Sequence, residues 1–442
     1  MSKDASILIV GAGTFGLSTT LELASNGYKN ITVLERAAAI PSPYSAGCDL
    51  NKVIRAEYED PFYTEIALDA IKAWKSPLFR PYYVNNGLLM ANSPAADQQE
   101  FDSTDQEFAS IEHHPAYPPG TLKKIYSSAD VRAVVPQLTG PMSGWTGYFN
   151  KNGGYVRAGR AMAKMYEICK GLGVRFILGE EEGNAAELLF EDDSRKRCVG
   201  VKTKVGKEYK AAHTIVCLGA HVTRLLPSIA PQITAKAWAV AHIQLTPEQA
   251  RSMTGIPVIN CGDMGFFFEP DSETNLIKLC AHNAGLTNYE GGGRVSRPTS
   301  SGSEAGYVVD HGRIPRDDEE KIKKLIAETM PQFSSLPLIR KFICWCGDTT
   351  DSNFIIDYAP GTTDKSLLIF SGDSGHAFKM LPIAGRWARD VLEQGKQRLD
   401  RWKWKDVPVG DADDIHWRPG SLRDVKDIKD WVKEGDRLRS KL

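Results

Sequence analysis

No apolar run in this 442-residue chain approaches the roughly 20 residues needed to span a bilayer, so a transmembrane role is not expected. An excess of one charge is missing too. The 54 basic and 55 acidic side chains leave a formal net charge of −1, which offers no footing for a nucleic-acid partner or an anionic membrane surface. The eight cysteines are scattered, and the one close pair, Cys344 and Cys346, has no second pair or histidine pair nearby. No metal site is expected from them, and a cytosol-like compartment would keep them as thiols. No secretory leader is expected, because strand-like sequence begins by residue 6. No internal repeat is visible. What remains is an ordinary globular composition, 42% hydrophobic and 25% charged, long enough for two linked domains.

The first 36 residues read as a complete β-α-β unit. Ser6–Val10 is a short apolar strand, Thr14–Asn26 a helix with Phe15, Leu17, Leu21 and Leu23 as its apolar positions, and Ile31–Leu34 a second strand after the break at Gly27. Between the first strand and the helix lies Gly11-Ala12-Gly13-Thr14-Phe15-Gly16, a G-x-G-x-x-G turn. Its glycines permit a tight turn, close approach of backbone to a pyrophosphate, and close helix-strand packing. The helix N-terminus that follows favours the phosphate charge. Glu35 ends the second strand, 19 residues after Gly16, where a carboxylate accepts hydrogen bonds from a ribose diol. Strand, turn, helix and acid in register predict dinucleotide binding.

Further along, helices are expected at 62–74, 155–170, 317–330 and 383–394. Residues 91–127 read as a polar, proline-bearing excursion, 175–216 as short strands with a hairpin connection at 191–197, and 236–282 as strands alternating with turns. The Gly/Ser-rich segment 290–306 reads as either a lid or a plain connection. The tail from residue 400 carries four of the nine tryptophans, so part of it should pack. Nucleotide-binding sequence that returns at 213–219 and 366–375 suggests an interrupted domain. The expected fold class is α/β: a Rossmann-like FAD-binding domain over 1–85, 146–235 and 340–400, and a substrate domain with a mixed, largely antiparallel sheet over 86–145 and 236–339. Residues 401–442 form a tail.

Two features favour FAD over NAD. Thr214–Ala220 is a strand ending in a small-residue turn, similar to the second flavin-contacting strand of glutathione-reductase-type proteins. Gly372-Asp-Ser-Gly375-His376-Ala-Phe378-Lys379 follows a late strand and would bring backbone N–H groups toward a flavin edge. Beyond these motifs, the chain resembles the monomeric sarcosine oxidase family nearly end to end, including the fungal fructosyl amino acid and fructosyl peptide oxidases and the saccharopine and pipecolate oxidases. The resemblance is carried by GAGTFG at 11–16, SAGCDLNKVIR at 45–55, GGYVRAGRA at 153–161, AHIQLTPEQA at 241–250, GFFFEP at 265–270, CWCGDTTDSNFIID at 344–357 and GDSGHAFKMLP at 372–382.

That resemblance implies FAD attached by an 8α-S-cysteinyl bond at Cys344, with Cys346 lining the pocket. It places Lys278 over the flavin, where a fixed cation would favour electron transfer to O2. A lysine inside the otherwise apolar segment 276–282 is costly without partners or work. Arg55 and Lys379 match cations that bind a substrate carboxylate. At position 282 the fructosyl enzymes carry glutamate and the sarcosine-type enzymes histidine; this chain has His282. Arg36, Ser45, Lys52, His376 and Phe378 complete the expected cofactor set with Gly11, Gly13, Thr14, Phe15, Gly16, Glu35, Cys344, Gly372, Gly375 and Lys379. For a substrate with more than one carboxylate, Lys52 and Arg418 are further candidate receivers. Glu57, Tyr58, Trp145 and His242 read as packing or surface residues.

The scaffold is thus similar to the fructosyl oxidases, while the pocket residues are similar to the sarcosine-type enzymes. The expectation is an oxidase of N-substituted amino acids such as saccharopine, pipecolate or sarcosine, giving an imine that hydrolyses, and hydrogen peroxide. A fructosyl amino acid oxidase, a flavin amine dehydrogenase and a biosynthetic N-methyl amino acid oxidase stay open beside it. The expected partners are a small-molecule amine and O2, with the chain acting as a monomer. Ser440-Lys441-Leu442 is a receptor-read peroxisomal address, and peroxide chemistry suits that compartment.

Overall fold

The computed structural model describes residues 1–290, 295–299, 312–406 and 420–434. Most of the 290–306 segment, Arg418 and the C-terminal tripeptide lie outside the described residues. No described helix is long and apolar enough to cross a membrane.

The N-terminal unit forms as its sequence pattern requires. Strand β1 (Ile7–Val10) is fully buried, helix α1 (Thr14–Ser25) follows it, and strand β2 (Ile31–Glu35) lies parallel to β1 with Ile7 opposite Ile31 and Val10 opposite Leu34. Two later strands join the same sheet. His213–Val216 pairs in parallel with β1 on its other side, and Leu367–Ser371 pairs in parallel with His213–Val216. Arg175–Leu178 closes one edge beside β2, and Ile355–Tyr358 closes the other as the one antiparallel member. The sheet is therefore assembled from distant stretches of chain, with β1 near its centre. The C-terminal helix Ala384–Gln394 packs on α1 so closely that Gly385 carries no room for a side chain; a Cβ there would lie 2.1 Å from the Ser18 carbonyl oxygen. Phe15 of α1 stacks on Phe370 with ring centroids 4.0 Å apart, fastening the helix to the late strand.

A ten-stranded mixed sheet, antiparallel for most of its pairs, forms the second body. Its long central strand Ile233–Gln244 is flanked by Leu276–Ala281 and Ile339–Thr349, both antiparallel. Leu88–Asn92, Thr146–Asn150 and Leu122–Ile125 build its far side. The hydrogen-bonded sheet thus runs past the boundaries expected at 145/146 and 339/340: Thr146–Asn150 and Ile339–Thr349 are members of it. The polar excursion expected at 91–127 is also more ordered than expected. It holds the helix Gln98–Glu112, started by a capping box in which Asp97 accepts from the Glu100 amide and Glu100 returns the bond to the Asp97 amide. Its buried residues Thr104, Phe108 and Ile111 recur at helical spacing, a stripe that proline and polar residues mask in a linear reading. The tail packs in part, since Trp402 is buried against Trp387, Phe62 and Phe354.

Gly16 lies where α1 crosses β1. A Cβ added there would come within 1.9 Å of the Gly11 carbonyl oxygen, which is backbone and cannot move aside. Gly16→Ala is expected to cost about 3 kcal/mol and to leave purified protein largely free of flavin. A thermal melt and the flavin-to-protein absorbance ratio check both.

Candidate functional site

The glycine turn opens into a long cleft with an empty volume of about 1150 Å³. At one end Gly11 adopts φ +100, a left-handed conformation that favours glycine, and α1 begins at Gly13 with no side-chain cap and no acid in its first turn. Its leading N–H groups therefore face the cleft with no side chain competing for them, the arrangement that suits a phosphate. Glu35 stands at the end of β2 and lines the cleft. Its carboxylate is fixed by the Ala12 amide at 3.0 Å, the Ala37 amide at 3.0 Å and the Ser42 hydroxyl at 2.8 Å. Arg36 lies over the Tyr44 ring, 3.5 Å from its centroid, with His221 Nε2 3.2 Å from the guanidinium. At the other end the walls are Lys52, Trp345, Cys346, Gly375 and Phe378.

Gly11, Gly13, Thr14, Phe15, Glu35, Arg36, Ser45, Lys52, Gly375 and Phe378 all line this cleft. Gly16, Cys344, Gly372, His376 and Lys379 are not among its lining residues. Gly16 serves packing, and Gly372 approaches Thr349 too closely for a side chain. His376 bridges Tyr58 (Nδ1 at 3.1 Å from its hydroxyl) and the Ser352 carbonyl oxygen (Nε2 at 2.9 Å) while stacking on Phe354. Cys344 stands one pleat along from Cys346 on the strand Ile339–Thr349. Hydrogen bonding with Cys346 first, and then the Lys52 charge, hold the Cys344 thiol below its ordinary value against the opposing effect of burial. Tyr44, His221 and Arg224 also line the cleft and carried no motif that would have revealed them; Asp373, within the 372–382 motif, lines it too.

Lys278 is buried, with 1% of its surface exposed, so it does not project from a strand edge into water. Its Nζ donates to Asp49 Oδ2 at 2.5 Å and to the Asn51 carbonyl oxygen at 3.0 Å, and lies 5.2 Å from the Phe268 ring centroid. Asp49 receives Lys52 as well, at 2.9 Å. Burial would raise the Asp49 carboxyl, but the two ammonium groups outweigh it and hold it well below the usual carboxylate range. Lys52 is thus committed to Asp49 and the cofactor cleft, not to a second substrate carboxylate. His242 faces Lys278 across the sheet, its Nδ1 donating to the Arg340 carbonyl oxygen at 3.2 Å, with burial pushing its imidazole down to about 4.

A second cluster adjoins the cleft, because Lys379 directly follows the cleft-lining Phe378. Lys379 Nζ donates to the Tyr58 hydroxyl at 2.6 Å and sits 4.4 Å from that ring's centroid; the Arg55 guanidinium lies 5.7 Å from the same centroid. The two expected carboxylate-binding cations therefore converge on Tyr58, a residue expected to be packing. Burial first, and Arg55 second, push the Lys379 amine well below its ordinary value. Arg55 donates to the Glu57 carbonyl oxygen at 2.6 Å and to Glu107 Oε1 at 2.6 Å. Glu107, on the helix Gln98–Glu112, was not anticipated, although it interrupts the inward stripe of Thr104, Phe108 and Ile111. His282 is placed edge-on against Phe266, ring centroids 5.4 Å apart, at the end of the Lys278 strand. Trp145 is core packing, and Glu57 is a fully buried acid satisfied by the Ala56 amide and Asn150.

An FAD dependent oxidoreductase family description matches residues 6–391. The chain belongs to this family. The flavoenzyme is also 30% identical over 440 residues to L-saccharopine oxidase of Schizosaccharomyces pombe, covering 96% of this chain and 98% of that one. It is similar in fold to the deglycating fructosamine oxidase (Amadoriase II) of Aspergillus fumigatus, with TM-score 0.83, 33% identity and 98% of each chain covered. A modified fructosyl peptide oxidase from Aspergillus nidulans superposes with TM-score 0.86 at 33% identity, covering 98% of this chain and 100% of that chain. The resemblance stated from sequence motifs is borne out, and so is the α/β fold class. The residues present fit the dinucleotide: an uncapped helix start at the phosphate end, a fixed carboxylate beyond it, and an open cleft reaching the cysteine-bearing strand.

Proposed function

We propose that this flavoenzyme oxidises the secondary amine of an N-substituted α-amino acid, with FAD tethered at Cys344. One observation carries the reading: Arg55 and Lys379 meet at Tyr58, directly beside the end of the cleft that would hold the flavin ring. Gly11, Gly13 and the first turn of α1 would hold the pyrophosphate, Glu35 a ribose, and Cys346 and Phe378 the ring end. FAD supplies two-electron oxidation of the C–N bond and delivery of those electrons to O2. The chain's own residues position the reactants. Arg55, braced by Glu107 and the Glu57 carbonyl oxygen, keeps donors for a substrate carboxylate. A carboxylate arriving beside Lys379 favours the protonated amine, so substrate binding takes up a proton there. Lys278, with its charge held by Asp49, offers a buried cation for the anionic species formed as oxygen is reduced. The imine product is released to hydrolysis in water.

The substrate class follows from the same pocket and from the relative whose name specifies saccharopine. Peroxide release with saccharopine, pipecolate, sarcosine and a fructosyl amino acid, compared side by side, tests it. Turnover of the first three with a slow fructosyl compound is the expected outcome. A fructosyl amino acid is the second reading, favoured by Glu107, which neutralises Arg55 and weakens the case for a purely carboxylate-binding clamp. Delivery to peroxisomes through a receptor that reads Ser440-Lys441-Leu442 is part of the proposal; a fluorescent fusion exposing that tripeptide should appear in peroxisomes, and one masking it should not.

Attachment at Cys344 has a pH signature. The thiolate is the nucleophile, the new C–S bond replaces a C–H bond, and oxygen accepts the two electrons released. Because the thiol is held below its ordinary value, thiolate forms at lower pH than in a free cysteine. Acid-stable flavin fluorescence from apoprotein incubated with FAD should form at a rate that rises with pH, with a midpoint below the ~8.5 of a free cysteine, and then levels. Lys52→Met should move the midpoint upward, and Cys344→Ala should abolish acid-stable flavin altogether.

A further inference from the structure

The side-chain cluster beside the flavin cleft contains an acid that binding a simple amino-acid carboxylate does not require. Proceeding away from the cleft, Phe378 is followed by Lys379, Lys379 bonds Tyr58, Tyr58 lies under Arg55, and Arg55 bonds Glu107. Glu107 gives one oxygen to Arg55. Its other oxygen, Oε2, is buried and has no hydrogen-bond partner among the described residues, and the same holds for the Tyr148 hydroxyl. Tyr148 is fully buried, and the charges of Glu57, Glu107 and Arg55 all act on its phenol, which is held above its ordinary value by burial first. Glu57 cannot fill the gap, because both its oxygens are taken by the Ala56 amide and Asn150. Lys379 and Tyr58 also face Glu107 electrostatically, but their bond is to each other. Buried polar groups are as a rule hydrogen-bonded. An unpaired carboxylate oxygen and an unpaired phenol oxygen suit a donor that carries positive charge.

We propose that Glu107 determines specificity: it favours an N-substituted amino acid that bears a distal ammonium group, and disfavours one whose only distal charge is a carboxylate. The inference rests on the amine-oxidase reading of the same pocket. When a substrate carboxylate takes the free donors of Arg55, the guanidinium must serve two anions. A distal ammonium at Glu107 Oε2 restores the charge balance and satisfies the unpaired oxygen. A distal carboxylate would instead meet Glu107 across a buried space, where like charges repel strongly.

Three probes of one size class separate the possibilities: Nα-methyl-L-lysine with a distal ammonium, N-methyl-L-norleucine with none, and N-methyl-L-glutamate with a carboxylate. Each is titrated calorimetrically under argon into holoenzyme whose flavin has been chemically reduced, so that binding is read without turnover. The wild type should bind the lysine probe about tenfold or more tightly than the norleucine probe, with the glutamate probe weakest. In Glu107→Gln the lysine-to-norleucine ratio should collapse to within about twofold, while Glu107→Asp should keep a preference for the lysine probe. A wild-type ratio near one, or a ratio unchanged in Glu107→Gln, would overturn the assignment. An equal weakening of all three probes would do the same, since it would mark a purely structural effect. Peroxide release from the same probes with oxidised enzyme judges the chemistry separately: a Glu107-dependent preference without turnover would support the recognition role and count against the amine-oxidase reading alone.

Discussion

Lys278→Met should slow reoxidation of the reduced flavin by oxygen by about 10²–10³-fold, the usual effect of removing one preorganised charge-stabilising group. The amine half-reaction should change far less. Anaerobic reduction by substrate followed by rapid mixing with oxygen separates the two. The expectation rests on where the charge is held. Lys278 is 1% exposed, and Asp49 is shared between it and Lys52. Methionine keeps the shape of the stem and removes the cation. It also leaves Asp49 with Lys52 alone, which predicts a second signature. A carboxyl held below its unfolded value stabilises the fold above the unfolded pKa of about 3.9, and that stability is lost as pH falls through the folded value. The folded Asp49 value is strongly depressed by both ammonium groups. With one of them gone it moves up, so acid unfolding of the variant should begin at a higher pH than in the wild type.

The second large effect belongs to Arg55. Arg55→Met removes the planar donor set that would hold a substrate carboxylate and leaves Glu107 as a mostly buried anion without its cation. Breaking such a pair costs about 3 kcal/mol, and since a fifth of the Arg55 side chain is exposed the loss should lie at or below that figure. The specificity constant for amine substrates should fall by about 10²-fold, chiefly through KM, because two charge-assisted hydrogen bonds disappear. Arg55→Lys should recover little of it. A lysine cannot donate at once to Glu107, to the Glu57 carbonyl oxygen and to substrate with the geometry of a guanidinium fork. The double variant Arg55→Met, Glu107→Gln should regain much of the stability but not the activity, as it removes the orphaned charge without restoring the clamp. Denaturant titration and steady-state kinetics on the three variants distinguish these outcomes.

Legibility followed sequence distance. The β-α-β unit, its glycine turn and Glu35 lie within 36 consecutive residues, and their spacing alone predicted the cleft that the structure contains. The late strand Leu367–Ser371 was readable too, because a short, fully buried parallel strand is a continuous apolar run. Domain edges were less readable. Thr146–Asn150 alternates only weakly, and nothing local says which sheet it joins. The helix Gln98–Glu112 was read as an excursion because its buried stripe is three residues wide within a polar surround. Tyr58 and Glu107 were missed for related reasons: each is a common residue type whose partner, Lys379 or Arg55, lies far along the chain or on another element.

The sequence by itself determined that the chain builds a dinucleotide cradle, interrupts it with a mixed sheet, and carries cysteine at 344 on a strand whose next two residues line it. Local pattern suffices for these features because backbone turns, strand periodicity and helix starts depend on neighbouring residues. Only the tertiary structure decided the electrical state of the charged groups. It set Asp49 between Lys278 and Lys52, lodged Lys379 against Tyr58, and closed Glu107 onto Arg55. Charge in a buried site is governed by distances of a few ångströms and by exclusion of water, and both arise here when segments 52 to 321 residues apart are brought together.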